Sequence, residues 1–281
     1  MSFEQSKWVW MNGDVVPWGA ATTHVSAHAL HYGSGVFEGM RCYETSEGPA
    51  VFRIDAHLDR FYSSAEIYGL EIPYTRGELS EAVCEVIRRN DFSSCYVRPI
   101  CYFGSASLNV HPRNCPVEVV ILAWPWATYL GAAGLEQGVR VTVSPWRKFN
   151  SRMMPTTAKA CGQYLNSILA VRDAVLQIAR DLDYRVEIRV LELDDLLSAD
   201  EAFFTGTAAE VTPISEVDET PIGNGARGPV TREIQEVFFA ATSGRDERYA
   251  HWLHLVDAKR GQVDGSLSLA QAFMPGLVEC G

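Results

Sequence analysis

The chain has 281 residues, 47% hydrophobic and 11% aromatic, enough to bury a substantial core and to predict a folded protein of two domains. A formal charge of −11 and a pI near 5.1 count against nucleic acid and anionic membrane surfaces, both of which repel an acidic protein, and leave small molecules as the expected partners. No apolar run approaches the roughly 20 residues of a membrane span and Met1–Trp10 lacks the order of a signal peptide, so a cytoplasmic location is expected. The seven cysteines are scattered without a C-x-x-C pair, which predicts reduced thiols rather than a disulfide framework or a zinc site.

Short β-like runs open the chain, with Asn12-Gly13-Asp14 as a hairpin turn between Val9-Trp10-Met11 and Val15-Val16. Apolar residues at helical spacing predict amphipathic helices over Asp55–Tyr68 and Arg76–Arg89. Strands are expected at Ser94–Phe103 and Val117–Trp124, completing a small α+β domain over residues 1–130. The glycine- and alanine-rich stretch 131–138 suits an interdomain connection. A second domain is expected over 139–255: a strand at Gly138–Pro145, an unusually long helical pattern from Ala160 to Leu182, and strand text at Arg185–Val190. A capped turn at Asp194–Leu197, two strands within Glu201–Pro213 and a helix opened by Pro229 complete it. Residues 256–281 read as an unpatterned tail.

Four segments carry candidate chemistry. Thr156-Thr157-Ala158-Lys159-Ala160-Cys161-Gly162 places one lysine among small residues, where a cofactor can approach and partial desolvation can lower the ammonium pKa. Phe203–Glu210 sets Gly206 and Thr207 in a turn whose N–H groups could bind an anion. His31–Arg41 mixes glycines with aromatics, as a loop against an apolar ligand would. Tyr96 and Arg98 share one face of a strand, and an inward arginine needs an anionic partner. Three have an ordinary alternative when taken alone: a solvated lysine, a tight turn, a buried turn. His24, His28 and His31 have a spacing that mimics metal ligands, but with no acidic ligand nearby packing and turn roles are expected and no metal is assigned.

Together these segments resemble the branched-chain aminotransferases of the fold-type IV pyridoxal-phosphate family, from about Trp8 to Ala170 and again from about Asp173 to Trp252. The resemblance implies a mixed α+β, two-domain fold like that of D-amino-acid aminotransferase, with pyridoxal 5'-phosphate as cofactor. It implies transfer of the amino group of leucine, isoleucine or valine to 2-oxoglutarate, and a homo-oligomer. Lys159 would hold the cofactor as a Schiff base and shuttle the proton, and Tyr164 would bond its phenolic oxygen. Arg60 and Thr207 would bind its phosphate. Tyr32, Phe37, Tyr96, Arg98, Trp126 and Tyr129 would shape the substrate pocket, with Ala208 and Ala209 offering backbone groups to the substrate carboxylate. A D-amino-acid aminotransferase or aminodeoxychorismate lyase is the alternative within the fold, though His31–Arg41 and Thr205–Pro213 favour the branched-chain group. A catalytically impaired subunit is the alternative outside it.

In one place the chain departs from that pattern. Asn166–Val171 runs straight into Arg172–Ala179, where the family places several strands, so several tens of residues are expected to be missing and the second domain truncated. The lost stretch would carry the E-G-x-x-E-N-L-F region, whose glutamate faces the pyridine nitrogen, and an L-P-G-I-T helix N-terminus that binds phosphate.

Overall fold

The computed structural model describes residues 5–126, 131–141, 151–152, 154–163, 179–184 and 192–257. The long helical pattern of 160–182 lies largely outside these residues, as do the junction Val171-Arg172, the strand at Arg185–Val190 and most of the tail.

The N-terminal region is built on an eight-stranded antiparallel sheet. Its first hairpin joins β1 (Trp8–Met11) to β2 (Asp14–Pro17) through Asn12 and Gly13, both at positive φ, the geometry expected of an Asn-Gly turn. A short helix α1 (His28–Tyr32) closes on Gly33 in the left-handed conformation and leads into β3 (Gly35–Phe37). β4 (Met40–Thr45) and β5 (Gly48–Phe52) form the next hairpin, and β6 (Cys95–Phe103) and β7 (Val117–Trp124) are the long central strands. Helices α2 (Ile54–Ile67) and α3 (Arg76–Arg89) cover the sheet with Leu58, Phe61, Leu79, Val83 and Ile87, all essentially inaccessible to water. α3 starts where a capping box does, with the Thr75 side chain accepting from the Glu78 backbone and the Glu78 carboxylate accepting from Thr75.

Two boundaries differ from the sequence reading. Residues 131–137, expected as a flexible connection, form helix α4 (Gly131–Gln137), tied to the last helix because Leu135 accepts from the Gln235 side chain. Tertiary contact here outweighs the weak helical preference of glycine. At the other end, β12 (Leu253–Leu255), expected in the second domain, pairs with β5 as an edge of the first sheet, and Val256, expected in the tail, packs in the first core.

The second region holds a smaller sheet of four strands among the described residues: β8 (Val139–Val141), β9 (Ala202–Gly206), β10 (Glu210–Val217) and β11 (Thr220–Pro221). β10 pairs with β9 and β11 antiparallel and with β8 parallel. The turn α5 (Leu193–Leu197) precedes β9, and α6 (Pro229–Thr242) packs Ile234, Phe238 and Ala241 with Phe52, Tyr249 and Trp252, joining the two regions. Glu201 caps α6, accepting from the backbone N–H of Val230 and Thr231, and holds its own carboxyl below the usual range because these hydrogen bonds outweigh the burial that would raise it. No helix of the described residues is long and apolar enough to cross a membrane.

Candidate active site

Lys159 is held against the first sheet and its helix α2. Its backbone is docked on β3: the Phe37 N–H donates to its carbonyl at 3.0 Å, and Ala160 bridges to Val36. From the other side its own N–H donates to the Ser64 hydroxyl at 2.9 Å. The segment is thereby clamped between a strand edge and α2, and the side chain is left 1% exposed. A solvated surface lysine is ruled out.

The amine itself makes no hydrogen bond among the described residues. It lies 3.9 Å from Glu38 Oε2 and 5.2 Å from the centre of the Phe37 ring. Burial lowers its pKa, the Glu38 carboxylate pulls it back up, and the cations Arg60 and Arg98 push it down, leaving it at about 8. An amine that is buried, unbonded and neutral in appreciable fraction near neutral pH is what Schiff-base chemistry requires.

Glu38 organises the other side of the site. Fully buried, it accepts from Arg60 Nε at 2.5 Å and Arg60 Nη2 at 2.6 Å, from His57 Nδ1 at 3.0 Å and from the Gly39 N–H at 3.2 Å. Burial alone would raise its pKa, yet the hydrogen bonds from Arg60 and His57 with the charge of Lys159 hold it at about 2. His57, Arg60 and Ser64 lie at i, i+3 and i+7 of α2, so one helix face supplies three of the groups that meet Glu38 and Lys159. Gly39 is required beside them, because a Cβ there would collide with the Tyr96 hydroxyl.

An aromatic wall completes the enclosure. The Arg98 guanidinium stands 4.6 Å from the Phe37 ring centre, 5.2 Å from that of Tyr96 and 5.7 Å from that of Trp124, and Arg98 Nη2 donates to the Tyr96 hydroxyl at 3.1 Å. Trp126 stacks obliquely on Tyr96 at 4.9 Å. On the turn between β9 and β10, Thr207 is buried and its hydroxyl has no partner among the described residues, while the Ala209 carbonyl accepts from the Thr212 hydroxyl. Nearby Arg41 faces Glu210 at 3.6 Å and Tyr43 donates to the same carboxylate, linking β4 to β10.

Of the residues singled out in the sequence, Lys159, Arg60, Phe37, Tyr96, Arg98 and Trp126 gather around one enclosure. Arg60, expected on a phosphate, has its fork engaged with Glu38. Tyr32 makes its contacts elsewhere, with its ring on His28 at 4.5 Å and its hydroxyl donating to the Leu108 carbonyl. Tyr164 and Tyr129 lie outside the described residues. The histidines set aside as metal ligands are structural in part: His28 is buried between the Ser34 hydroxyl and the Asn109 carbonyl. Sequence reasoning missed Glu38, His57 and Ser64. The available signal was the His57-x-x-Arg60 spacing on a helix, together with an acid following the apolar pair Val36-Phe37.

A buried lysine whose amine has no hydrogen-bond partner among the described residues, with an arginine beside it, has the chemistry to hold an aldehyde cofactor. The amino-transferase class IV family model matches residues 35–175 and 170–217, and the chain belongs to that family, whose cofactor is pyridoxal phosphate. It is 37% identical to the branched-chain-amino-acid aminotransferase of Pseudomonas aeruginosa over 88% of this chain and 97% of that protein. It is 36% identical to the corresponding protein of Escherichia coli over 92% of this chain and 100% of that protein. The crystal structure of the Escherichia coli branched-chain amino acid aminotransferase superposes with a TM-score of 0.86 at 36% identity, covering 90% of this chain and 100% of that one. A second branched-chain amino acid aminotransferase, from T.th. and solved with pyridoxamine 5'-phosphate, superposes with a TM-score of 0.85 at 40% identity, covering 90% of this chain and 99% of that one.

The same comparisons register the missing segment. The family match breaks and restarts within residues 170–175, where the two helical patterns are fused. Since 88% of 281 residues is about 247, about 50 of the 297 positions aligned with the Pseudomonas protein stand opposite no residue here.

Proposed function

We propose that this chain exchanges the amino group of leucine, isoleucine or valine with 2-oxoglutarate, using pyridoxal phosphate held on Lys159. The buried, unbonded Lys159 amine beside the arginine-lined aromatic wall is the observation that carries the proposal. When bound, the cofactor supplies an aldehyde for the lysine and an electron sink for the bond broken at the amino acid's Cα. The protein's own groups do the rest. Lys159, with a pKa of about 8, can take a proton from one carbon and return it to another at neutral pH. Arg60 and the Thr207 hydroxyl hold phosphate, and the 207–209 turn receives the substrate carboxylate. Phe37, Tyr96, Trp124 and Trp126 exclude water and accept an aliphatic side chain, while Arg98, with its Nε unbonded among the described residues, accepts the second carboxylate of 2-oxoglutarate in the same space.

The gap near Val171 favours a second statement about rate. A chain lacking the acid that faces the ring nitrogen and one phosphate-binding helix N-terminus turns over more slowly than its relatives. The test is glutamate formed from leucine and 2-oxoglutarate by the purified chain with pyridoxal phosphate. D-alanine outperforming leucine as donor, or release of 4-aminobenzoate from aminodeoxychorismate, would move the chain to another branch of the fold.

Self-association fits the surface. Val25 is 76% and Val110 is 79% exposed, and the segments that carry them meet α1 through Val25–His31 and Tyr32–Leu108 hydrogen bonds, leaving an apolar patch that a second copy would cover. Sedimentation of the wild type and of Val110→Asp tests this; association unaffected by the charge would count against the patch.

A further inference from the structure

We propose that Glu38 is a positioning residue of this site, the shared counter-ion that keeps a proton on Lys159 and fixes the fork of Arg60, acting through both. The inference rests on Lys159 as the cofactor lysine and assigns how its protonation is set.

A carboxylate buried completely is costly unless its oxygens are saturated by donors, and those of Glu38 are: Oε1 by Arg60, and Oε2 by Arg60, His57 and the Gly39 N–H. Lys159 is not among these hydrogen bonds. At 3.9 Å its amine feels the charge without being locked by it, so it remains free to swing to a ligand. The charges facing the amine come from three elements: Glu38 just after β3, Arg60 and His57 on α2, and Arg98 on β6. His57 is held largely neutral, since burial lowers its pKa against the pull of Glu38. Two arginines and burial therefore disfavour the ammonium, and Glu38 is the one anion among the described residues that favours it. Remove that charge and the lysine stays neutral well below pH 8, readier to attack an aldehyde but without a proton to deliver. The same carboxylate fixes the arginine, so one side chain governs both the lysine's proton and the orientation of the guanidinium expected at the phosphate.

The chain has four lysines, Lys7, Lys148, Lys159 and Lys259, so carbon-13 labelling at lysine Cε gives a readable NMR spectrum of the full chain without any cofactor. Lys159→Arg assigns the signal. The wild-type signal should titrate near pH 8. In Glu38→Gln the midpoint should fall by at least about one pH unit, a tenfold weaker proton affinity, and Glu38→Asp should recover most of it. Arg60→Gln should move it the opposite way, upward, because a cation facing the amine is removed. A merely structural Glu38 would not lower the midpoint in Glu38→Gln and restore most of it in Glu38→Asp. Coincident midpoints in Glu38→Gln and wild type, or a downward shift in Arg60→Gln, would overturn the proposal. Should Glu38→Gln fail to fold by its amide spectrum, Glu38→Asp decides: drawing the carboxylate back by one methylene should lower the midpoint part of the way, and a midpoint equal to wild type would overturn the proposal. Absent transamination alongside these shifts would count against the activity and leave the role of Glu38 standing.

Discussion

The two regions of the molecule differ in how much sheet and core they present among the described residues. The N-terminal sheet has eight strands closed under two amphipathic helices, and Phe61, Leu79, Ile87 and Ile121 are sealed from water. The C-terminal sheet has four strands among the described residues, and on β9 Phe204 stands 42% exposed. On the first-sheet half of the site Glu38 has its oxygens filled by Arg60, His57 and the Gly39 N–H, while the Lys159 amine and Arg98 Nε have no hydrogen-bond partner among the described residues. On the second, the buried Thr207 hydroxyl has none among the described residues. The family match divides at residues 170–175, ahead of the second region's strands β9 and β10.

The contrast can be broken by restoring what is missing. Insertion of the corresponding segment of a relative between Val171 and Arg172 should raise the rate of leucine-dependent glutamate formation by about 100-fold or more, the scale of removing preorganised donors from a reacting centre. An unchanged rate would mean that the segment is not what limits the chain. The regions should also differ in how they answer mutation. Phe61→Ala should cost ~3–5 kcal/mol in denaturant unfolding, as a large cavity in a closed core does, whereas Phe204→Thr should stay within about 0.5 kcal/mol. Comparable losses at the two positions would erase the distinction.

Between these extremes lies a pH effect located in the first region. Glu38 has its pKa depressed from 4.5 to about 2 in the folded chain, so its contribution to stability is present above pH 4.5 and is lost as pH falls toward 2. This is ~3 kcal/mol of acid sensitivity, to be absent from Glu38→Gln in acid-unfolding curves. A smaller effect, about tenfold in rate, concerns Lys159: cofactor capture needs the neutral amine, so trapping by borohydride should speed up from pH 7 and level off above about 8. A rate still climbing steeply above pH 9 would place the lysine outside the field of the arginines.

Much of this was legible in the chain itself. The Asn12-Gly13 hairpin, α3 between Arg76 and Arg89, and the two central strands follow from turn chemistry and periodicity. Lys159 was legible because its neighbours are small. The clamp around it was not: Ser64 and Glu38 lie 95 and 121 residues from Lys159, and only the packing of α2 against β3 brings them together. The pairing of β12 with β5 was hidden for a related reason, since three residues of strand carry no periodicity and their partner is about 200 residues away. Helix α4 was hidden by its own glycines, and it is packing on β10 with the Gln235–Leu135 hydrogen bond that holds it.

The most direct test is the absorbance spectrum of the purified chain with pyridoxal phosphate, beside that of Lys159→Ala. A band near the visible edge in the wild type and its absence from the variant is the result expected of a buried lysine that holds the cofactor. Identical spectra would contradict it.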